Sequence, residues 1–308
     1  LMRRAREASL GEGGAPVAIE ALQQVLDEDP EVIDAWVRLG NEQLKERQFP
    51  AAIRSYQKAI ELKPDYDLAV INLANAYRKA GQPDDAMLGY RQFLRLDPRN
   101  AQVRYELAQM LLERNELEEA EGHLREAVQF APEMAAAQNA RGVIALKRSD
   151  PETAATLINE ALALKQDVRL AHFNLALVAE SRGDAREAVR LYRQELELYP
   201  ESYKVEFNLG LLLGATGDRE GAVAAFRRAI EINPEFAEGH FFLAKTLLES
   251  GEGLDEAIDL ARTGLQLEPS PDVAPMGHYL LADIFTRLGR TEEAQRELAS
   301  ARSLERES

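Results

Sequence analysis

WVRLGNEQLKERQFPAAIRSYQKAIELKP, residues 36–64, sets the pattern of the whole chain. Gly40 stands twelve positions before Ala52, Tyr56 follows Ala52 by four, and Pro64 closes the run. A small residue opposite a large one is what two closely packed helices need, since the bulk of one fills the space left by the other. The Ala then recurs: Ala18, Ala52, Ala86, Ala120, Ala154, Ala188 and Ala222 are each 34 residues apart, and Ala257 and Ala294 follow after 35 and 37. The small partner recurs with it at Gly40, Ala74, Ala108, Gly142, Ala176, Gly210, Ala244 and Ala282, as does the large one at Tyr56, Tyr90, Leu124, Ile158, Tyr192 and Phe226. Length alone would suggest about two or three domains, but self-similarity overrides that prior. The apolar spacing is helical, and no stretch alternates as a strand does.

Punctuation agrees with a helix-turn-helix unit. Gly81, Gly183, Gly217, Gly251 and Gly289, with Asn115, fall where a left-handed cap ends the first helix. Pro30, Pro64, Pro98, Pro132, Pro200, Pro234 and Pro269 end the second helices. Asp and Glu cluster just after these prolines, where the next helix presents its positive end, so part of the acidity is structural.

Composition excludes several function classes. There is no Cys, hence no disulfide, thiolate nucleophile or Cys-held zinc. With 53 acidic against 37 basic residues the net charge is −16, so nucleic acid is not an expected partner. No apolar run reaches the ~20 residues of a membrane span, so no membrane insertion is expected of this segment. Compartment stays open. Lys is scarce beside Arg, a habit of GC-rich bacterial genes.

Trp36, Leu39, Gly40, Ala52, Tyr56, Ala59 and Pro64 together resemble the tetratricopeptide repeat (TPR), and nine units repeat the pattern in phase. The resemblance implies an all-α, right-handed superhelical solenoid of antiparallel helix pairs, with first helices lining a concave groove and second helices the back. Residues 1–30 are expected to hold a partial first repeat, residues 31–306 eight further repeats in one continuous solenoid, and residues 268–276 a linker insertion. Departures stand at Phe93, Arg141, Gln166 and Glu195, where the family has Ala, Leu, Pro and Ala, and they predict loosened packing in the fourth to sixth repeats. Arg302 and Gln295 make the last repeat's outer face polar, as a solenoid's end requires. At the front, Ala5 and Ala8 fall at helix-contact positions and Leu1 begins within a helix, so more chain is expected to precede it.

Catalytic constellations are absent from this reading, and no enzyme activity, cofactor or metal is expected. Of the four His, His172, His240 and His278 share one repeat position, near that of Trp36; His240 and His278 lie on neighbouring repeats, about 8–10 Å apart, too far to share a metal without further ligands. Arg182, Gly183 and Asp184 spell an adhesion tripeptide but fall where a helix C-cap meets the next N-cap.

The candidate binding residues lie on the first helices. Asn72, Asn174 and Asn208 sit two positions before the small residue, and Asn41 and Asn75 one after it. Amides donate and accept, so a ladder of them could pair with an extended peptide's backbone; the alternative is family ancestry. Tyr105, Phe173, Phe207, Phe241 and Tyr279 hold the adjacent position as an expected apolar strip, or else pack against the next helix. Arg38, Lys45, Arg78 and Lys79 gather near Asn41, Asn72 and Asn75 as a locally basic wall. Asn41 and Asn72 match part of the family's carboxylate clamp, but Val37, Gln102 and Glu106 stand where its cations belong, so the clamp is not carried over. The expected function is a non-catalytic scaffold that binds an extended peptide or partner protein in the groove. Two alternatives are a self-associating structural subunit and the C-terminal TPR part of a larger bacterial enzyme.

Overall fold

The structure is a computed structural model and describes residues 14–251 and 253–307. The contacts expected of Ala5 and Ala8, and most of the partial first repeat, lie outside the described residues. Within them are seventeen helices and no strand. First comes α1 (Ala15–Glu28), followed by eight hairpins. These are α2 and α3 (Ile33–Lys45, Phe49–Leu62), α4 and α5 (Asp67–Lys79, Pro83–Leu96), α6 and α7 (Ala101–Glu113, Leu117–Phe130), and α8 and α9 (Ala135–Lys147, Pro151–Leu164). Then follow α10 and α11 (Ala171–Ser181, Ala185–Leu198), α12 and α13 (Tyr203–Ala215, Arg219–Ile232), α14 and α15 (Ala237–Ser250, Leu254–Gln266), and α16 and α17 (Ala274–Arg287, Thr291–Glu307). The chain divides into two compact units, residues 1–144 and 145–308, with the boundary inside α8.

Each hairpin is closed by a left-handed residue, and the turn between α14 and α15 has a second, Gly253. Arg47, Gly81, Asn115, Ser149, Gly183, Gly217 and Gly251 all have positive φ, at intervals of 34. After six of these, Arg47 to Gly217, the residue that follows donates its backbone N–H back into the first helix, as in Gln82 to Tyr77 and Asp218 to Leu213, both 2.9 Å. This bond ties up a carbonyl that the helix end leaves unpaired. Arg47 and Ser149 occupy the position without glycine's freedom, which is why the Gly pattern skips them. Asp150, Asp184 and Asp218 then cap the second helices by accepting from Thr153, Glu187 and Gly221 N–H. The adhesion-like tripeptide is therefore a helix end and a helix start.

In both units the small and large residues meet as their spacing requires. A Cβ added to Gly40 would lie 2.6 Å from the Tyr56 ring, and one on Gly210 would lie 2.7 Å from Phe226. Ala52, Tyr56, Ala86, Tyr90, Ala120 and Leu124 are fully buried in the first unit; Ala154, Ile158, Ala188, Tyr192, Ala222 and Ala257 are so in the second.

The departures from the repeat are compensated rather than loose. Phe93 is buried in the core of the first unit. Arg141 donates to Glu121 (3.0 Å) and Gln138 (3.1 Å). Glu195 is 0% exposed and accepts from the backbone N–H of Leu170 (2.6 Å), His172 (3.1 Å) and Phe173 (3.4 Å). Its carboxylate thus takes the orphan donors at the start of α10, where the helix field favours negative charge. Only Gln166 leaves the packing open, beside a cavity of about 310 Å³.

Candidate partner-binding surface

The expected amide ladder is largely occupied by the chain itself. Asn41 Oδ1 accepts from Tyr56 Oη (2.7 Å) and from Asn72 Nδ2 (3.1 Å), and Asn75 Oδ1 accepts from Tyr90 Oη (2.7 Å). Asn41 and Asn75 therefore satisfy a phenol that the knob-and-hole packing buries. Asn208 donates to the Lys204 carbonyl of its own helix (2.7 Å), and Asn174 is buried. Asn174 is removed from the proposed ladder on that ground: a side chain without access to solvent cannot pair with a partner's backbone. The Nδ2 groups of Asn41 and Asn75 keep no hydrogen bond among the described residues and remain the amide donors on this wall.

The aromatic positions split. Phe241 is fully buried, wedged where a Cβ on Gly264 or Gly277 would collide with its ring. This corrects its assignment to the strip, because two glycines in the next elements open a slot into which the ring turns inward. Phe173 and Phe207 are half-buried. Phe173 lies 5.6 Å from Tyr192, and Phe207 lies 5.6, 5.0 and 5.2 Å from Phe226, Phe236 and Phe242. Tyr105 and Tyr279 are half-buried too; Tyr105 Oη accepts from Gln109 (2.5 Å), and Tyr279 Oη donates to Glu305 (2.9 Å).

The basic wall is mostly neutralised. Arg38 pairs with Asp34 (2.6 Å), Lys45 with Glu42 (2.9 Å) and Arg78 with Glu106 (3.3 Å). Lys79 is exposed and makes no ion pair among the described residues. Two of these pairs are i,i+3 or i,i+4 neighbours on one helix, a spacing legible in the sequence.

On the first-helix face of the second unit, α12 carries Gly214 and Ala215 where other repeats have larger side chains. Between α12 and α14 this leaves a cavity of about 280 Å³ floored by Phe226, Phe242 and Leu211 and edged by Lys245 and Glu249. The Lys245 ammonium lies 5.9 Å from the Phe242 ring centre and 3.9 Å from Glu249. Sequence reading missed this site, because its signal is two small residues, Gly214 and Ala215, where other repeats have larger ones.

The position of Trp36 has a second use. Trp36 Nε1 donates to the Pro30 carbonyl (2.8 Å), Arg104 Nε to that of Pro98 (3.0 Å), and His240 Nε2 lies 3.0 Å from that of Pro234. Each ties a first helix to the preceding turn. His278 at the same position meets Glu297 instead (2.7 Å). His172, preceded by Gln166 rather than Pro, makes neither hydrogen bond, and its Nδ1 lies 3.8 Å from Glu195.

The phenols at the hairpin core make a pH prediction. Burial raises the pKa values of Tyr56, Tyr90 and Tyr192 above the ordinary 10.0, and for Tyr192 the hydrogen bond to Glu180 adds to the effect. The unfolded phenols lose their protons first, so stability is full below pH 10 and falls as pH rises past it. Tyrosinate absorbance followed beside circular dichroism should show these phenols ionising only as the helices melt. Complete ionisation in a still helical chain would refute that burial.

Stacked helix hairpins with a repeated knob-and-hole contact define a helical repeat scaffold. The family profile for the tetratricopeptide repeat matches residues 71–135, 139–203 and 207–274, and related profiles of the same description match 33–66 and 275–300. The chain belongs to the tetratricopeptide repeat family. Comparison with curated protein sequences gives no match. Among solved structures it is similar to a tetratricopeptide repeat protein from Parabacteroides merdae, with 17% identity, TM-score 0.67, and coverage of 82% of this chain and 98% of that one. It is also similar to pilF of Pseudomonas aeruginosa, at 24% identity, TM-score 0.56, and coverage of 70% and 98%. A third likeness is to the APC/C hetero-tetramer Cut9–Hcn1, at 20% identity and TM-score 0.60; there the chain is covered over 73% and spans 45% of the other. These likenesses show the fold. Proteins of the family bind proteins or peptides and are generally non-catalytic scaffolds.

Proposed function

We propose that the chain is a non-catalytic scaffold whose first-helix face holds an extended segment of a partner protein. The observation that carries this is the cavity between α12 and α14. It joins an apolar floor to a charged edge, the combination in which a partner's aliphatic side chain gains burial while its neighbours stay hydrated. In the first unit, the donor groups of Asn41 and Asn75 and the exposed Lys79 face the same kind of segment with polar partners for its carbonyls. Phe207 supports the floor by packing on Phe226 and Phe242, and Phe173 packs on Tyr192; neither is an anchor standing free.

Gly214→Trp separates this reading from general adhesiveness. A Cβ at Gly214 meets only Ala222, at 3.7 Å, so the backbone tolerates a side chain there and the indole fills the cavity. Peptides selected from a random display library against the unmodified chain should bind the variant about tenfold or more weakly, as loss of an anchoring pocket does. Equal affinity for both proteins would refute the site.

A further inference from the structure

Three departures from the repeat converge on one place. Gln166 stands where a Pro ends the other second helices, His172 where Trp36 sits, and Glu195 where the family has a small residue. The cavity of about 310 Å³ opens there, on the second-helix face between α9 and α11, lined by Leu162, Gln166, His172, Gln194, Glu197 and Leu198. It shares no lining residue with the cavity between α12 and α14.

The wall chemistry is set by Glu195. His172 Nδ1 is buried without a hydrogen-bond partner, and Glu195 Oε2 lies 3.8 Å from it. A lone pair turned toward that carboxylate is repelled and a proton is attracted, so of the two tautomers the one with its hydrogen on Nδ1 is favoured. Nε2 is then an acceptor, and His172 lines the cavity. Glu197 adds an exposed carboxylate, Gln166 and Gln194 add amide oxygens, and the side chains of all three make no hydrogen bond among the described residues. The carbonyl end of α9 adds partial negative charge. Lys165, the nearby cation at that end, is paired with Asp167 (3.4 Å). Leu162 and Leu198 supply an apolar flank, with Leu198 44% exposed.

We infer that this cavity binds an arginine side chain of a basic partner segment. Its methylene stem lies along Leu162 and Leu198, and its planar guanidinium donates to Glu197, the amide oxygens and His172 Nε2. Several acceptors around one opening match a fork of donors better than they match a compact ammonium. A basic segment also suits a chain of net charge −16.

The test uses the full chain and N-acetyl-arginine methylamide, with the uncharged citrulline analogue and methylguanidine as controls, followed by NMR. The His172 ring and the Gln166 and Gln194 side-chain amides should shift, and the arginine probe should bind about tenfold more tightly than citrulline, as charge-assisted hydrogen bonds outdo neutral ones. Glu197→Gln, a change at an exposed residue, should weaken binding about fivefold or more. Equal binding of citrulline, an unaffected Glu197→Gln variant, or shifts confined to other faces would overturn the site. Methylguanidine binding as tightly as the arginine probe would overturn the side-chain stem, and with it the protein source of the ligand.

Discussion

Replacing Phe241 with alanine is expected to destabilise the second unit by about 3–5 kcal/mol, the range for deleting a fully buried ring. The side chain is 0% exposed and belongs to the cluster formed by Leu209, Leu243, Leu281 and Phe285. Gly264 and Gly277 leave the slot it fills, and neither can close it, because closure would need backbone movement in α15 or α16. Phe241→Leu should lose less, since it keeps part of the volume. Urea unfolding of the intact chain followed by circular dichroism measures both. A loss below about 1 kcal/mol for the alanine variant would mean that the ring lies at the surface and could serve a partner after all.

Glu195→Ala is expected to cost about 2–4 kcal/mol, although it restores the residue type the family prefers there. Three backbone donors lose one ionised acceptor, and the space left behind adjoins an existing cavity. Glu195→Gln keeps the shape but replaces one oxygen with an NH₂ that faces donors, so an intermediate loss is expected. Hydrogen exchange at Leu170, His172 and Phe173 should quicken in both variants, with the first helices of other repeats unchanged. Unaltered stability and exchange would show that solvent caps α10 as well as the carboxylate does.

Helix boundaries and core were legible because one physical contact, small against large, repeats at a fixed interval. Ala52 with Tyr56 and Ala222 with Phe226 could be placed from spacing alone. The amides were legible in position, but not that the Oδ1 atoms of Asn41 and Asn75 serve buried phenols. Asn41 and Asn75 lie 15 residues before Tyr56 and Tyr90, while Gln109 and Val143 precede Leu124 and Ile158 by the same interval, so asparagine in particular accompanies the phenol. Leu177 before Tyr192 breaks that rule because Glu180 takes the phenol's proton donor instead. Phe241 shares its repeat position with Phe207, and only Gly264 and Gly277, distant in sequence, decide which ring turns inward. The basic wall failed on its immediate neighbours: Asp34 and Glu42 were visible beside Arg38 and Lys45. Glu195 read as a blemish because its three partners are backbone groups, which no sequence pattern displays.

The interval between Ala257 and Ala294 is 37 rather than 34, yet Ala282 and Ala294 keep the usual twelve. Extra length has therefore entered between α15 and α16, in the exposed stretch around Ser270 to Asp272, and not inside a hairpin. Each hairpin carries its own closing bonds, so the joints between them tolerate inserted chain. A reporter domain or affinity tag grafted at that joint would ride outside the packing, and would label the protein internally with both cavities left open.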